Sequence, residues 1–197
     1  MVETFTLKAT APVMALKYVA IRGITSYKRS RCGLHIHISK DSLNAHQWWK
    51  VVYLFWKCKT KIRKFSQRAG NTHYCQITPP ESYGLREASN LYSHIKRFMP
   101  ANSERYNAVN FIPTETVEFR IFRGTLSIER FWSSILFVDS LISFATKVGI
   151  PFILRTASEK LWEEYTGILK IEMRYQVLIK HLERRNLMPG VVPLPIE

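Results

Sequence analysis

The stretch RCGLHIHIS (31–39) decides the fold class. After Gly33 it alternates without interruption, Leu34, Ile36 and Ile38 on one side of an extended chain and His35 and His37 on the other. Side chains along a strand point to opposite faces with a period of two, so this reads as a strand with an apolar face for a core and a polar face for chemistry. A second stretch, ETVEFRIFR (115–123), has the same construction: Val117, Phe119 and Ile121 on one side, Glu118 and Arg120 on the other. Residues 105–112 read as a third strand, joined to it by a tight turn at Pro113-Thr114. One antiparallel sheet built from the three would carry His35, His37, Glu118 and Arg120 on a common face. Imidazole and carboxylate suit a divalent ion, and guanidinium matches phosphoryl oxygens, so the pattern predicts a metal–phosphate site.

Outward from these strands, residues 4–9 and 13–22 read as short extended segments separated by Pro12. A helix is expected over 41–68, with Ser39 and Asp41 as candidate caps and Gly70-Asn71 as its stop. Residues 72–84 form a loop, and a second helix runs over 85–98, ended by Pro100. A strongly apolar helix covers 127–148, with Gly149 as its stop. Ser158 opens a last helix ending near Asn186, its apolar stripe made of Leu161, Tyr165, Ile168, Tyr175, Leu178 and Leu182. The expected organisation is one domain over 1–188 with an extended, proline-rich tail at 189–197.

The 197 residues suffice for one domain with its own core, and the apolar fraction of 46% excludes a disordered chain. The longest apolar stretch, 135–145, is broken by Asp139 and falls well short of the roughly 20 residues a membrane span needs. No secretory leader is read at the N-terminus, and Cys32, Cys58 and Cys75 have no metal-like spacing, so the expectation is a cytoplasmic protein with reduced thiols.

The net charge of +14 is unevenly spread. Residues 1–105 carry 18 Lys and Arg against 5 Asp and Glu, whereas residues 106–197 carry 11 against 10. A field of that size on one half of a chain favours a polyanionic partner. The expected helix 41–68 organises it: Lys50, Lys57, Lys61, Lys64 and Arg68 fall within a sector of about 60°, with Trp48, Val52, Phe55 and Ile62 opposite. A row of this kind, facing solvent over about 27 Å, can track several phosphates of a nucleic acid or meet an acidic protein surface.

Two blocks resemble signatures of the amidoligases, carboxylate–amine ligases similar to glutamine synthetase. Cys32 to Ser39 resembles the first. Arg105-Tyr106 through Asn110, then Thr116-Val117-Glu118-Phe119-Arg120 and Gly124-Thr125-Leu126, resembles the second, and Phe65-Ser66-Gln67-Arg68 with Tyr74-Cys75 resembles a segment between them. The resemblance implies an α+β fold, a curved antiparallel sheet like the glutamine-synthetase half-barrel with helices on its convex side. It also implies roles: His35 and Glu118 for divalent metal, His37 and Arg120 for the transferred phosphate, Arg68 and Arg105 for the nucleotide, with ATP and Mg²⁺ as the implied cofactors.

Family members carry acids on the strands before the first histidine block. Here the first 40 residues hold one acid, Glu3, and Thr6 and Lys8 stand where acids are expected. The leading expectation is therefore an N-terminally truncated, degenerate amidoligase fold reused to bind a nucleic acid or nucleoprotein complex. A phage or mobile-element counter-defence inhibitor acting in a host cytoplasm is the concrete version of that reading, which rests on analogy. The alternative is a working ATP- and Mg²⁺-dependent carboxylate–amine ligase. A third possibility is a subunit that completes its sheet with a partner protein, the oligomeric state being open.

Overall fold

The computed structural model describes residues 33–68, 75–80 and 105–190. The expected segments 4–9 and 13–22, the helix 85–98, most of the loop 72–84 and most of the tail lie outside them. The described fold is α+β, with a three-stranded antiparallel sheet in the order β1 (Gly33–Ser39), β3 (Thr116–Arg123), β2 (Val109–Asn110). Its helices are α1 (Ala45–Lys57), α2 (Lys59–Ser66), α3 (Ile128–Lys147), α4 (Ile150–Arg155), α5 (Ser158–Leu169) and α6 (Gln176–Arg184).

The register places His37 opposite Glu118 and Ile36 opposite Phe119, while Phe119 also faces Val109 and Glu118 faces Asn110. Between the pairs Ile36–Phe119 and Leu34–Phe122, β1 contributes one residue, His35, and β3 contributes two, Arg120 and Ile121. This is a β-bulge, which reverses the alternation of β3 beyond it. Phe119 before the bulge and Phe122 after it both reach the core: Phe119 packs on Phe55 and Trp48, Phe122 on Phe65 and Phe137. Phe65 and Phe137 stack with ring centroids 4.4 Å apart, tying α2 to α3 beneath the sheet. Truncating a buried phenylalanine such as Phe137 removes about 3–5 kcal/mol.

Several boundaries differ from the sequence expectation. The strand expected over 105–112 is only Val109–Asn110. Upstream, Gln76 and Asn107 form a parallel bridge, and downstream the Asn110 carboxamide accepts from the Ile112 amide, turning the chain before Pro113. The helix expected over 41–68 is two helices preceded by a single 3₁₀ turn at Lys40–Ser42. Asn44, rather than Ser39 or Asp41, caps it, through a reciprocal capping box with Gln47. Cys58 breaks the α-helical dihedrals, and Gln67, with φ of 53°, ends α2 in the left-handed region.

The long last helix is likewise broken, at residues 170–175, into α5 and α6. Its stripe still packs inward, with Leu161, Tyr165, Tyr175, Leu178 and Leu182 buried and Ile168 against the core. The short helix α4 was not expected; Gly149 serves as its N-cap, and Pro151 sits in its first turn where a missing N–H costs nothing. Among the described residues no helix is long and apolar enough to cross a membrane.

Candidate functional site

Glu118 stands at the middle of a row that crosses all three strands, Asn110 on β2, Glu118 on β3 and His37 on β1. Its side chain is buried, with four polar groups around it. Oε2 accepts from the Asn110 amide at 2.8 Å and from the Arg120 guanidinium at 2.9 Å. Oε1 lies 2.6 Å from Nδ1 of His35 and 3.8 Å from Nε2 of His37. His37 is held from its other nitrogen, Nδ1 lying 2.9 Å from the Thr116 hydroxyl. The alternation of β1 puts both histidines on the same side, and the bulge opposite His35 lets Arg120 turn back onto the carboxylate two residues before it.

The electrostatics follow from that packing. Burial raises the Glu118 carboxyl, but the hydrogen bonds from Asn110 and Arg120 and the charges of Arg120 and His35 outweigh it and hold it below the usual carboxylate range. For His35, burial lowers the imidazole; the Glu118 charge opposes this, while the Arg120 and Arg68 charges add to it, and the net shift is downward. Near neutral pH the cluster therefore holds a carboxylate, a neutral His35 and the Arg120 cation.

Arg68 enters from the end of α2. Its Nη1 donates to the Arg120 carbonyl, at the bulge itself. A Cβ on Gly33 would come within 2.9 Å of that Nη1 and 3.3 Å of His35 Nε2, so the glycine of the first block leaves room for the guanidinium over the strand. The Nε atoms of Arg68 and Arg120 are buried and have no hydrogen-bond partner among the described residues. Two such donors beside one cluster suit an oxyanion.

A divalent ion fits less well. Both oxygens of Glu118 are engaged, one of them by a guanidinium. Among the described residues no group of three or more His, Cys, Asp or Glu side chains converges as metal ligands. His35, His37 and Glu118 remain the donors of this face. Arg105 is exposed in the turn before β2 and makes no hydrogen bond or ion pair with the cluster.

The basic row differs most from its expectation of a free, solvent-facing line. Lys50 is buried, and its ammonium donates to the Val148 carbonyl at 2.9 Å. Lys57 donates to the carbonyls of Ile153 and Leu154 at 2.6 and 2.9 Å, and Lys64 to that of Asn186 at 3.2 Å. Lys61 pairs with Glu159 at 2.8 Å. Three of these lysines thus sit at the carbonyl ends of three different helices, α3, α4 and α6, where unpaired carbonyls and the helix dipole attract a cation. Burial lowers the Lys50 and Lys57 ammonium groups relative to free lysine. The physical reason is that α1 and α2 lie across the ends of the C-terminal helices, so the sector opposite the sheet meets protein.

Asn110 and Thr116 were not anticipated as members of the cluster. Asn110 was open to inference: in a hairpin turning at Thr114, residues 110 and 118 are equidistant from the turn and so face each other.

A sequence model of a family described as "putative amidoligase enzyme" matches residues 13–142, about two thirds of the chain. No curated protein and no solved structure matches it.

Proposed function

The chain belongs to the amidoligase enzyme family, and on that premise we propose that it is an ATP-dependent carboxylate–amine ligase whose described cluster handles the phosphoryl group. What carries the reading is the pair of buried, unpartnered guanidinium donors, Arg68 Nε and Arg120 Nε, beside Glu118. A phosphoryl oxygen would satisfy them, and charge-assisted bonds of that kind are strong where water is excluded. Glu118 then orients rather than ligates: it fixes the Arg120 fork and holds His35 by Nδ1. His37, half-exposed and anchored by Thr116, stands at the open side of the cluster to meet the substrate. ATP supplies the phosphoryl group that activates a carboxylate. No step is routed through a metal ion, because the described donors do not make a metal site by themselves.

The test is ATP turnover by the full chain with Mg²⁺ and a mixture of amines and carboxylic acids. His37→Ala, at an exposed position that leaves the fold intact, should lower turnover about 10²-fold, as loss of one transition-state donor does. An intact protein that neither binds nor turns over ATP would end the ligase reading.

A second reading, binding of a nucleic acid or nucleoprotein complex, is favoured by one feature of α2. It carries no acid, and Lys59, Arg63 and Lys64 are exposed on it. Reversing Lys57 or Lys64 would also break their bonds to helix carbonyls, so the clean variant is Lys59→Glu with Arg63→Glu. Under this reading it should weaken RNA or DNA binding and make its salt dependence shallower.

A further inference from the structure

Both imidazoles of the polar face turn toward Glu118 Oε1, but by opposite nitrogens, His35 by Nδ1 at 2.6 Å and His37 by Nε2 at 3.8 Å. A carboxylate only accepts hydrogen bonds, so the proton of a neutral His35 sits on Nδ1. For His37 the two ends of the ring compete. Its Nδ1 lies 2.9 Å from the Thr116 hydroxyl, a group able to donate or accept, and its Nε2 faces the carboxylate. A lone pair on Nε2 would be repelled by that negative charge, whereas an N–H there is attracted by it. The proton therefore belongs on Nε2, and the Thr116 hydroxyl donates to Nδ1. The sheet holds Thr116 in place for this. His37 pairs with Glu118 and Ser39 with Thr116, so Thr116 is the diagonal neighbour of His37 on the same face. Just beyond it the Lys40 amide donates to the Glu115 carbonyl at 2.9 Å and fastens the end of the ladder.

We infer that Thr116 is a positioning residue: its hydroxyl donates to His37 Nδ1, fixes the Nε2–H tautomer and so makes His37 a hydrogen-bond donor toward the phosphoryl group. The inference rests on the phosphoryl reading of the cluster. The opposite tautomer would turn an Nε2 lone pair toward the carboxylate, an arrangement that suits a cation. Which nitrogen holds the proton therefore separates an anion-facing site from a cation-facing one.

The experiment is nitrogen NMR of the full chain carrying isotope-labelled histidine, in alkaline buffer where an imidazole is neutral. The His37 signals are identified by their loss in His37→Ala. The expected spectrum has the proton on Nε2 and a bare Nδ1 whose signal is displaced by the hydrogen bond it accepts. Thr116→Val, the same shape without the hydroxyl, should lose that displacement, and Thr116→Ser should regain it. A proton on Nδ1, or a Thr116→Val spectrum like the parent's, overturns the inference. In ATP turnover Thr116→Val should lower kcat at least about tenfold with the KM for ATP unchanged, as loss of a group that orients a functional histidine does. Thr116→Ser should restore it. An undiminished kcat in Thr116→Val overturns the positioning role. A parent without ATP turnover ends the ligase reading and the catalytic use of the donor with it, and the spectra decide the tautomer in either case.

Discussion

The ammonium of Lys57 lies 2.6 Å from the carbonyl oxygen of Ile153, the last turn of one helix closing on the last turn of another. The same group reaches Leu154 at 2.9 Å and lies over the Tyr53 ring at 5.4 Å from its centroid. This lysine is part of the fold's joinery. Lys57→Met keeps the stem and deletes two charge-assisted hydrogen bonds, and should cost about 1.5–3 kcal/mol. Arg63→Met, on the exposed side of α2, should stay within about 0.5 kcal/mol. Urea denaturation of the two variants decides; equal effects would show that Lys57 contributes no more than a surface cation.

The capping box at the start of α1 gives a second expectation. Asn44 Oδ1 accepts from the Gln47 amide at 3.0 Å, and Gln47 Oε1 accepts from the Asn44 amide at 2.9 Å. Asn44→Ala should cost about 1 kcal/mol, and Asn44→Asp should be tolerated, since both oxygens can cap. Thermal midpoints measure the difference, and an Asn44→Ala midpoint equal to the parent's would remove the cap from the account.

How much of this could be read beforehand differs by level. Alternation in β1 was legible because a strand's period of two survives any tertiary context, and the shared face of His35, His37 and Glu118 followed from it, whereas the register that sets His37 opposite Glu118 did not. The bulge was not, since nothing in ETVEFRIFR marks where an extra residue sits, and the burial of both Phe119 and Phe122 depends on it. The fate of the lysine row was also hidden. Helical spacing correctly grouped Lys50, Lys57, Lys61 and Lys64, but a sector of like charge does not say whether water, phosphate or the carbonyl ends of other helices lie opposite. Predicting that required α4 and the break at 170–175, and both are set by packing more than by local signals.

Gly33→Ala tests the close approach of Arg68 to the strand. The added Cβ would sit 2.9 Å from Arg68 Nη1 and 3.2 Å from its Cζ, so the guanidinium must shift and its bond to the Arg120 carbonyl must lengthen or break. The expected cost is about 1–2 kcal/mol. In an Arg68→Ala background the same substitution should cost less, because the obstacle is gone. A double-mutant cycle with no coupling would contradict the arrangement.

His181 gives the protein an acid-sensitive joint. Burial lowers its pKa below the model-peptide value of 6.5, against the pull of Glu129 and with the help of Arg130 and Arg185. The unfolded chain therefore takes up this proton before the folded chain does. The stability it contributes is complete above pH 6.5 and is lost as pH falls from there through the lowered folded value. His35 is shifted the same way and adds to the slope. Thermal midpoints between pH 7.5 and about 5 should fall for the parent and fall less for His181→Asn. An unchanged slope would show that the buried imidazole is not its source.

The bulge in β3 works as a phase shifter, and this changes how the chain tolerates length mutations. Upstream of it odd-numbered residues face the helices, and downstream Phe122 does. Loss of Ile121 would restore a regular ladder, with Arg120 opposite His35 and Phe122 still opposite Leu34 on the core side. Loss of Arg120 would instead turn Ile121 from the core onto the face of His35 and remove the guanidinium from Glu118 in the same step. A one-residue deletion is therefore absorbed at the bulge with the face of Phe122 kept, and what it changes is which side chain stands beside His35.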